Sequence, residues 1–463
     1  MKLTMVSILL LLSIAGLQLG SGCAALPDVT EVIEEAPTAV RSSHQIVSSR
    51  GLLSPQKSKA IMERLKNSVN PTDILERHTS VMESISDSPL TKGNKVTLLA
   101  DGQDAYAAMF QAIEHAQHHI NLETFIIEDD PVGRKFADLL LQKQAEGVQV
   151  NLIYDSIGSL KTPISFFQRL LEGGVQVVEF NPVNPLNARW NWRLANPDHR
   201  KILIVDGKIA IIGGINISSV YSSSLSTRKP QGDQLPWRDT DVQIEGPAVI
   251  EAQKLFLETW RKQNGPPLDD DRYLPDQKEY GEALVRVVGS TPGQNNRITF
   301  IVYVSAITFA EHSIHLTNAY FIPDDQVLDA IADAARRGVD VKIILPASSD
   351  SSMALSGAQY HYSRLLQAGV KIYERSNALL HAKTAVIDGV WSTVGSTNLD
   401  YWSLLNDDEV NAVILSRDFA EKMEQMFAGD LVESNEIKSE KWENRSLWQK
   451  SKENFAHLFS RWM

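Results

Sequence analysis

Two long stretches of the sequence repeat the same order of predicted elements. Residues 112–156 and 306–350 each predict a helix, an apolar strand, an acidic turn, a second helix that ends near a glycine, and a second strand. Residues 166–180 and 360–374 extend the match with another helix, again closed by glycine and followed by a β-branched strand. Because strands and helices alternate, the chain predicts an α/β fold with two similar α/β/α sandwich lobes related by internal duplication.

The segment between the two copies, NGPPLDDDRYLPDQKEYG, is rich in Pro, Gly and charge, as is typical of a linker. We therefore expect a first lobe at 94–265, a linker at 266–280 and a second lobe at 281–430. An N-terminal tether with a helical extension is expected at 23–93, and an amphipathic tail at 431–463.

Each copy contains a His-x-Lys motif at the start of an apolar strand. The first reads HRKILIVD and the second HAKTAVID, and an Asp-Gly turn signal closes each of them. Side chains two positions apart in a strand point the same way, so each motif presents an imidazole and an ammonium on one face. A returning strand then ends in Gly, a small residue and Asn. The pattern yields the candidate site residues His199, Lys201, Asp206, Asn216, His381, Lys383, Asp388, Ser396 and Asn398.

The doubled motif resembles that of the phospholipase D superfamily. Within that superfamily the sequence is most similar to bacterial cardiolipin synthase-like phosphatidyltransferases. The similarity is carried by DHRKILIVDGKIAIIGGINI in the first half and by LLHAKTAVIDGVWSTVGSTNLDYWSLLNDDEVNAVI in the second. The resemblance implies a phospholipid substrate and an active site at the interface between the lobes, where the two histidines meet. No cofactor is expected.

Phosphodiester cleavage needs a nucleophile, an acid for the leaving alkoxide and positive charge around the transition state. One imidazole can attack phosphorus to form a phosphohistidine, and the other, when protonated, can protonate the leaving oxygen. Resemblance to lipid-cleaving members favours His199 as nucleophile and His381 as general acid and base. Lys201 and Lys383 would supply fixed cations, while Asn216, Ser396 and Asn398 would support the phosphate. Asp206 and Asp388 belong to the motif, but their positions favour a structural role at the turn.

A carboxylate that orients each imidazole is expected as well. Glu409 in NDDEVNAV matches the acidic residue that the family places after its second motif. Asp241 in WRDTDV stands at the corresponding point of the first half, where the cardiolipin synthases more often have His. The sequence shows no separate cluster with metal-ligand spacing, so we expect a metal-independent site.

The N-terminus predicts export. One Lys, a short apolar run and a cluster of small residues are typical of a signal peptide at 1–22, and the only cysteine, Cys23, stands where a bacterial lipoprotein would be acylated. We expect a lipid anchor at Cys23 that holds the protein on a bacterial membrane. Ala24 and Ala25 favour the outer membrane, facing the periplasm.

The expected function is transfer of a phosphatidyl group between phospholipid alcohols. A phospholipase D-type hydrolase, an exported nuclease or other phosphodiesterase, and a non-catalytic membrane-bound scaffold remain alternatives. The net charge of −12 argues against nucleic acid as a partner, because a general positive field is missing. Protein partners stay open at this stage.

Overall fold

The computed structural model of the chain describes residues 26–38, 44–66, 71–183, 196–222, 235–268, 270–293 and 297–459. Within these ranges the strands are β1 (Ile46–Ser48), β2 (Gly51–Leu52), β3 (Leu90–Leu99), β4 (His119–Thr124), β5 (Gln149–Asp155), β6 (Gln176–Phe180), β7 (Ile202–Val205), β8 (Ile209–Gly213), β9 (Trp237–Arg238), β10 (Asp241–Glu245), β11 (Ala283–Ser290), β12 (Ser313–Asn318), β13 (Phe321–Ile322), β14 (Asp340–Pro346), β15 (Lys371–Arg375), β16 (Leu379–Leu380), β17 (Lys383–Ile387), β18 (Trp391–Gly395), β19 (Leu399–Asp400), β20 (Glu409–Leu415) and β21 (Ser434–Glu436).

The helices of the same ranges are α1 (Val29–Thr38), α2 (Pro55–Lys66), α3 (Ile74–Ile85), α4 (Gly102–Glu114), α5 (Pro131–Ala145), α6 (Ile164–Glu172), α7 (Val249–Lys262), α8 (Asp270–Tyr273), α9 (Ile298–Thr308), α10 (Asp325–Arg336), α11 (Ser352–Tyr360), α12 (Tyr362–Gln367), α13 (Tyr401–Asn406), α14 (Arg417–Val432), α15 (Ser439–Glu443) and α16 (Leu447–Leu458). A short 3-10 turn spans Ser219–Tyr221.

The two halves contain the same sheet. In the first lobe the strands are ordered β6-β5-β4-β7-β8-β10-β3, and in the second β15-β14-β12-β17-β18-β20-β11. Three strands on one side are parallel in each lobe, and the strands from the motif onward are antiparallel. The predicted duplication of an α/β lobe is therefore confirmed.

The lobes are joined edge to edge. β3 of the first lobe pairs antiparallel with β11 of the second, which makes one continuous sheet. The helices cover its faces and bury apolar clusters on both sides, as a mixed sheet with covered faces requires.

The acidic turn after the first parallel strand of each lobe starts a helix. Asp130 accepts hydrogen bonds from the backbone N–H groups of Val132 and Gly133, both at 2.9 Å, and Pro131 occupies the first turn of α5. Asp324 does the same for Gln326 at the start of α10. A carboxylate at this position satisfies N–H groups that a helix leaves free, so the repeated acidic turns are helix caps.

The described part of the N-terminal extension packs on the second lobe. Ile74 of α3 and Val29 of α1 belong to the same buried cluster as Phe300 of α9. Thr72 donates a hydrogen bond to Asp388 at 2.6 Å. These contacts make the described extension a packed layer rather than a free tether. The domain boundaries stay predictions, and the signal peptide and Cys23 lie outside the described residues. Among the described helices, none has the length and apolar character needed to cross a bilayer.

Candidate active site

Each His-x-Lys motif lies where its strand enters the centre of a sheet. β7 runs antiparallel to β4, and β17 antiparallel to β12, so both motifs lie at the edge where the parallel strands end. The apolar residues that follow are buried and fix the strand in place. His199, Lys201, His381 and Lys383 are all buried.

The lobes hold the two histidines by exchanging backbone hydrogen bonds. The backbone N–H of His381 donates to the carbonyl of Arg238 at 2.8 Å, and that of His199 donates to the carbonyl of Asp408 at 2.9 Å. The short strands β9 and β16 pair across the same boundary. The backbone of each histidine is therefore hydrogen-bonded to the opposite lobe, and the two lobes make equivalent contacts.

The side chains are crossed in the same way. Nδ1 of His199 lies 3.0 Å from Oε1 of Glu409 in the second lobe, and Nδ1 of His381 lies 2.6 Å from Oδ2 of Asp239 in the first. Within the described residues, Nε2 of neither imidazole has a hydrogen-bond partner. A carboxylate that accepts the Nδ1 proton leaves the Nε2 lone pair available for chemistry.

The two carboxylates are charged despite their burial. Burial alone would raise the pKa of Asp239, but Lys383 and His381 outweigh it and hold the pKa below its usual value. Burial likewise opposes ionisation of Glu409, and the neighbouring His199 and Lys201 overcome it, so its pKa is also lowered. Both anions therefore stay ionised at neutral pH.

The imidazoles are neutral in the resting site. Burial and the adjacent Lys201 lower the pKa of His199. Burial and Lys383, whose Nζ is 2.9 Å from Nδ1 of His381, lower the pKa of His381 to about 4. Burial lowers the pKa of Lys201 to about 7 and also lowers that of Lys383. A site with two buried lysines and two neutral imidazoles is ready to receive an anion, and an anion would raise the pKa of each of these groups.

The structure corrects the predicted role of Asp241. Asp241 lies opposite Gly213, and the residue opposite the equivalent Gly395 is Asn411, so Asp241 matches Asn411 rather than Glu409. Its carboxylate accepts from the backbone N–H of Ile215 at 3.1 Å, and burial raises its pKa to about 8. The carboxylate equivalent to Glu409 is Asp239, two positions earlier. The match depends on the strand pairing, because 26 residues separate Gly213 from Asp239 but only 14 separate Gly395 from Glu409.

The residues predicted to support the phosphate mostly form hydrogen bonds with neighbouring protein groups. Asn216 accepts from the backbone N–H of Ile126 at 3.0 Å and donates to the hydroxyl of Tyr221 at 3.1 Å. Ser396 donates to Glu409, as Ser403 also does. The backbone N–H of Asn398 donates to Ser403 at 2.9 Å, and the buried Oδ1 of Asn398 has no partner among the described residues.

Four aromatic residues border the imidazoles, Phe125 beside His199 and Tyr221, Trp237 and Tyr320 beside His381. The motif gave no reason to select Phe125 or Tyr221. The ring of Phe125 meets His199 edge-on at 5.1 Å, and the Lys201 ammonium lies 5.0 Å from the centre of the same ring. The hydroxyl of Tyr221 is 3.5 Å from Nδ1 of His381. Phe125 follows strand β4 and Tyr221 ends the 3-10 turn, and neither segment contains a sequence motif that would have selected these residues.

Asp206 and Asp388 stand at the opposite ends of the motif strands. The oxygens of Asp206 accept from the backbone N–H groups of His118 and His119, and those of Asp388 accept from His312 and Ser313. Their φ angles of 54° and 52° are the left-handed values of the turn. Five strand residues place each carboxylate about 16 Å from the lysine of its motif. The structure therefore does not bring these two aspartates to the imidazoles.

His199, Asp407 and Glu409 are the described residues that can hold a metal ion, with one donor atom each within 4.8 Å of the others. Glu409 already accepts from His199, Ser396 and Ser403. Coordination there would compete with these hydrogen bonds.

Comparison with known proteins gives a consistent result. A family model described as "Cardiolipin synthase, PLD-like domain" matches residues 109–224 and 303–431. A cardiolipin synthase of Geobacillus sp. is 34% identical over 380 residues, which cover 81% of this chain and 74% of that protein. One of Listeria monocytogenes is 36% identical over 80% of this chain and 76% of its own length. The crystal structure of phosphatidylserine synthase from Haemophilus influenzae has the same fold, with a TM-score of 0.62 at 13% identity, over 83% of this chain and 97% of that one.

Proposed function

The chain belongs to the cardiolipin synthase, PLD-like domain family, and from this premise we propose that it transfers a phosphatidyl group from phosphatidylglycerol, or a related phospholipid, to a second lipid alcohol. The reaction would form cardiolipin and release glycerol. The proposal depends most on the crossed arrangement in which His199 bonds Glu409 and His381 bonds Asp239 across the lobe boundary.

The first step forms a phosphohistidine. Nε2 of His199 attacks phosphorus, the bond from phosphorus to the glycerol oxygen breaks, and protonated His381 gives its proton to that oxygen. Glu409 is shared between His199 and two serine hydroxyls, whereas Oδ2 of Asp239 is committed to His381. A carboxylate with fewer competing donors stabilises an imidazolium better, which favours His381 as the acid.

The second step reverses the roles. The hydroxyl of the incoming lipid gives its proton to His381 and attacks phosphorus, and the bond to His199 breaks. Lys201 and Lys383 offset the charge that develops on the phosphoryl oxygens in both steps. Because bound phosphate raises the pKa of nearby cations, the resting values become compatible with a protonated acid once substrate is present.

An apolar rim supports a lipid substrate. The loop after β5 exposes Ile157 and Leu160. The same loop contacts Phe125, which in turn contacts His199. Acyl chains need such surface beside a polar site, whereas a nuclease would need a basic groove.

Product analysis tests the transfer. Purified protein is incubated with phosphatidylglycerol labelled in its phosphate, in detergent, and the lipids are separated. We expect labelled cardiolipin and equimolar free glycerol. If phosphatidic acid is the sole labelled product, even with excess alcohol acceptor, the protein is a hydrolase and the transferase proposal is wrong. A His199→Ala, His381→Ala double variant with equal turnover would establish the scaffold alternative.

The roles of the histidines are separated by leaving-group chemistry. A phosphatidyl ester of p-nitrophenol has a leaving group that needs little protonation, so the His381→Ala variant should still release one nitrophenol per protein in a rapid burst. His199→Ala should show no burst, because the nucleophile is missing. The opposite pattern would assign the nucleophile to His381.

Membrane attachment through an acylated Cys23 completes the proposal, with export through the signal peptide at 1–22 and a position on the periplasmic face of the outer membrane. The sequence signal supports it. Labelled fatty acid should enter the wild-type chain and not the Cys23→Ala variant, and fractionation of the membranes should recover the wild type with the outer membrane. Equal labelling of both chains, or recovery elsewhere, would contradict it.

A further inference from the structure

The C-terminal helix α16 presents its apolar side to the solvent, which is the reverse of the usual orientation of a surface helix. Its large apolar side chains face solvent, namely Leu447 at 82% exposure, Trp448 at 70%, Phe455 at 57% and Leu458 at 75%. At about 100° per residue these four positions lie on one side of the helix, and we call them the apolar row. A surface helix of a soluble domain normally buries such a row against its core.

The opposite side of α16 is fixed to the second lobe by polar contacts. Arg445, two residues before the helix, binds the buried carboxylate of Glu453 with two nitrogens, at 2.9 and 2.7 Å, and its Nη1 donates to the hydroxyl of Ser363 on α12 at 3.4 Å. Ala456 is buried, and the ring of His457 stacks on Tyr360 of α11 at 3.9 Å. The apolar row therefore faces solvent because the helix is anchored in that orientation.

Glu453 and Lys452 lie on different sides of α16. Its only acidic residue, Glu453, faces the protein, whereas Lys452 is exposed with its ammonium 5.3 Å from the ring of Trp448. An apolar row that contains a Trp and is flanked by Lys is the pattern of helices that lie in the interface of a bilayer with anionic headgroups.

We propose that the apolar row inserts into the surface of an anionic phospholipid bilayer and is a membrane contact separate from the active site. The inference rests on the proposed function, because phosphatidylglycerol is itself a membrane lipid. Four side chains are too few for a stable protein interface, which typically buries about 800 Å² per partner and 20–30 residues. A bilayer accepts a single helix face of this size.

The position of α16 connects this contact with the cleft. α11, on which α16 packs, begins at Ser352, two residues after Asp350. Asp350 accepts a hydrogen bond of 2.6 Å from the hydroxyl of Tyr320, whose ring contacts His381. α11 has nine residues, so it spans about 14 Å. Docking through α16 would hold the lobe beside the lipid layer that supplies the cleft.

A depth measurement on the full chain tests the proposal. Cys23→Ala removes the only native thiol, so a cysteine introduced by Phe455→Cys can carry a single nitroxide label. The matched control is Leu171→Cys, an exposed apolar position on helix α6 of the first lobe. On vesicles of phosphatidylglycerol and phosphatidylethanolamine, relaxation by lipid-dissolved oxygen is compared with relaxation by an aqueous nickel chelate.

We expect the ratio of oxygen to nickel accessibility to rise several-fold at 455 when vesicles are added and to stay at its aqueous value at 171. An aqueous value at both positions overturns the proposal. So does a change at 455 that needs only a higher protein concentration, since that would identify a second copy of the chain as the partner. The readout requires no turnover, so an inactive but inserted protein would refute the proposed function alone.

A second measurement uses charge. In the Cys23→Ala background, which removes the proposed acyl anchor, Trp448→Glu combined with Leu458→Glu should weaken flotation with the same vesicles at least about tenfold, the ratio that a difference of about 1.4 kcal/mol produces. Leu171→Glu should leave flotation unchanged. All three positions are solvent-exposed, so the fold should persist, and circular dichroism checks this. Equal flotation of the double variant and the control contradicts membrane insertion of the apolar row.

Discussion

Replacement of Asp239 by Asn tests whether the crossed carboxylates position the histidines. In the wild type, Oδ2 of Asp239 is 2.6 Å from Nδ1 of His381, and both groups are buried. The amide keeps the size of the side chain and removes its charge. An imidazolium at His381 then loses its counter-ion, so the acid needed for the leaving glycerol becomes harder to form.

The magnitude follows from the hydrogen bond. A hydrogen bond to a charged group contributes roughly 1.5–3 kcal/mol, and about 1.4 kcal/mol is a factor of ten in rate. Asp239→Asn should therefore lower kcat/KM for phosphatidylglycerol by about tenfold to about 150-fold. The assay is glycerol release in detergent at pH 7, with thermal unfolding recorded for each variant to verify that the fold is intact.

Asp241→Asn is the matched control, two residues along the same segment. With a pKa of about 8, Asp241 is already mostly neutral at pH 7, so the change removes little charge, and the amide oxygen can still accept from Ile215. We expect less than about a threefold effect on kcat/KM, well below the value of one charged hydrogen bond. If Asp239→Asn retains wild-type activity, or if Asp241→Asn loses as much, the assignment of the positioning carboxylate is wrong.

Four further predictions concern charge and stability. Because the pKa of Lys201 is about 7, its cation is present below that pH and lost above it, so kcat/KM should fall as pH rises through 7; Lys201→Arg should move the falling limb to higher pH. The folded pKa of Asp241, about 8, exceeds its unfolded value of 3.8, so native protein binds the extra proton in this window and stability falls with rising pH. In urea titrations, the free energy of unfolding of Asp241→Asn should increase relative to that of the wild type by up to about 1.4 kcal/mol per pH unit from pH 4 to pH 8. Parallel plots of unfolding free energy against pH for the two proteins would contradict this. Asp388→Ala should cost about 1–3 kcal/mol of unfolding free energy by loss of buried acceptors, measured in urea, and an unchanged midpoint would refute the structural role of the turn. Finally, EDTA should leave glycerol release unchanged, whereas loss of activity restored by a divalent cation would show that a metal is required.

Much of the fold follows from local pattern. Helix and strand periods, glycine stops and acidic helix caps recur in the same order in both halves, and the two sheets have the same strand order as a result. Each motif also fixes which side chains share a strand face, because that depends only on positions i and i+2. His199 with Lys201, and His381 with Lys383, could therefore be paired from the sequence.

The choice between Asp239 and Asp241 depended on something that the sequence does not encode locally. Asp239 and His381 are 142 positions apart, and their contact depends on how β9 and β16 align across the lobe boundary. Both aspartates flank the same threonine, so composition and spacing do not distinguish them. The register of β8 and β10 does, since it places Asp241 opposite Gly213.

The sequence by itself determined the two lobes, the paired imidazole and ammonium groups and the amphipathic pattern of the C-terminal helix, because each of these depends on neighbours within a few residues. Only the tertiary structure decided which carboxylate meets which histidine and which side of α16 faces the solvent. Periodicity shows that a helix has an apolar face, but the direction of that face is set by contacts with distant residues. The stacking of His457 on Tyr360 of α11 and the hydrogen bond from Arg445 to Ser363 of α12 hold α16 with its apolar row outward.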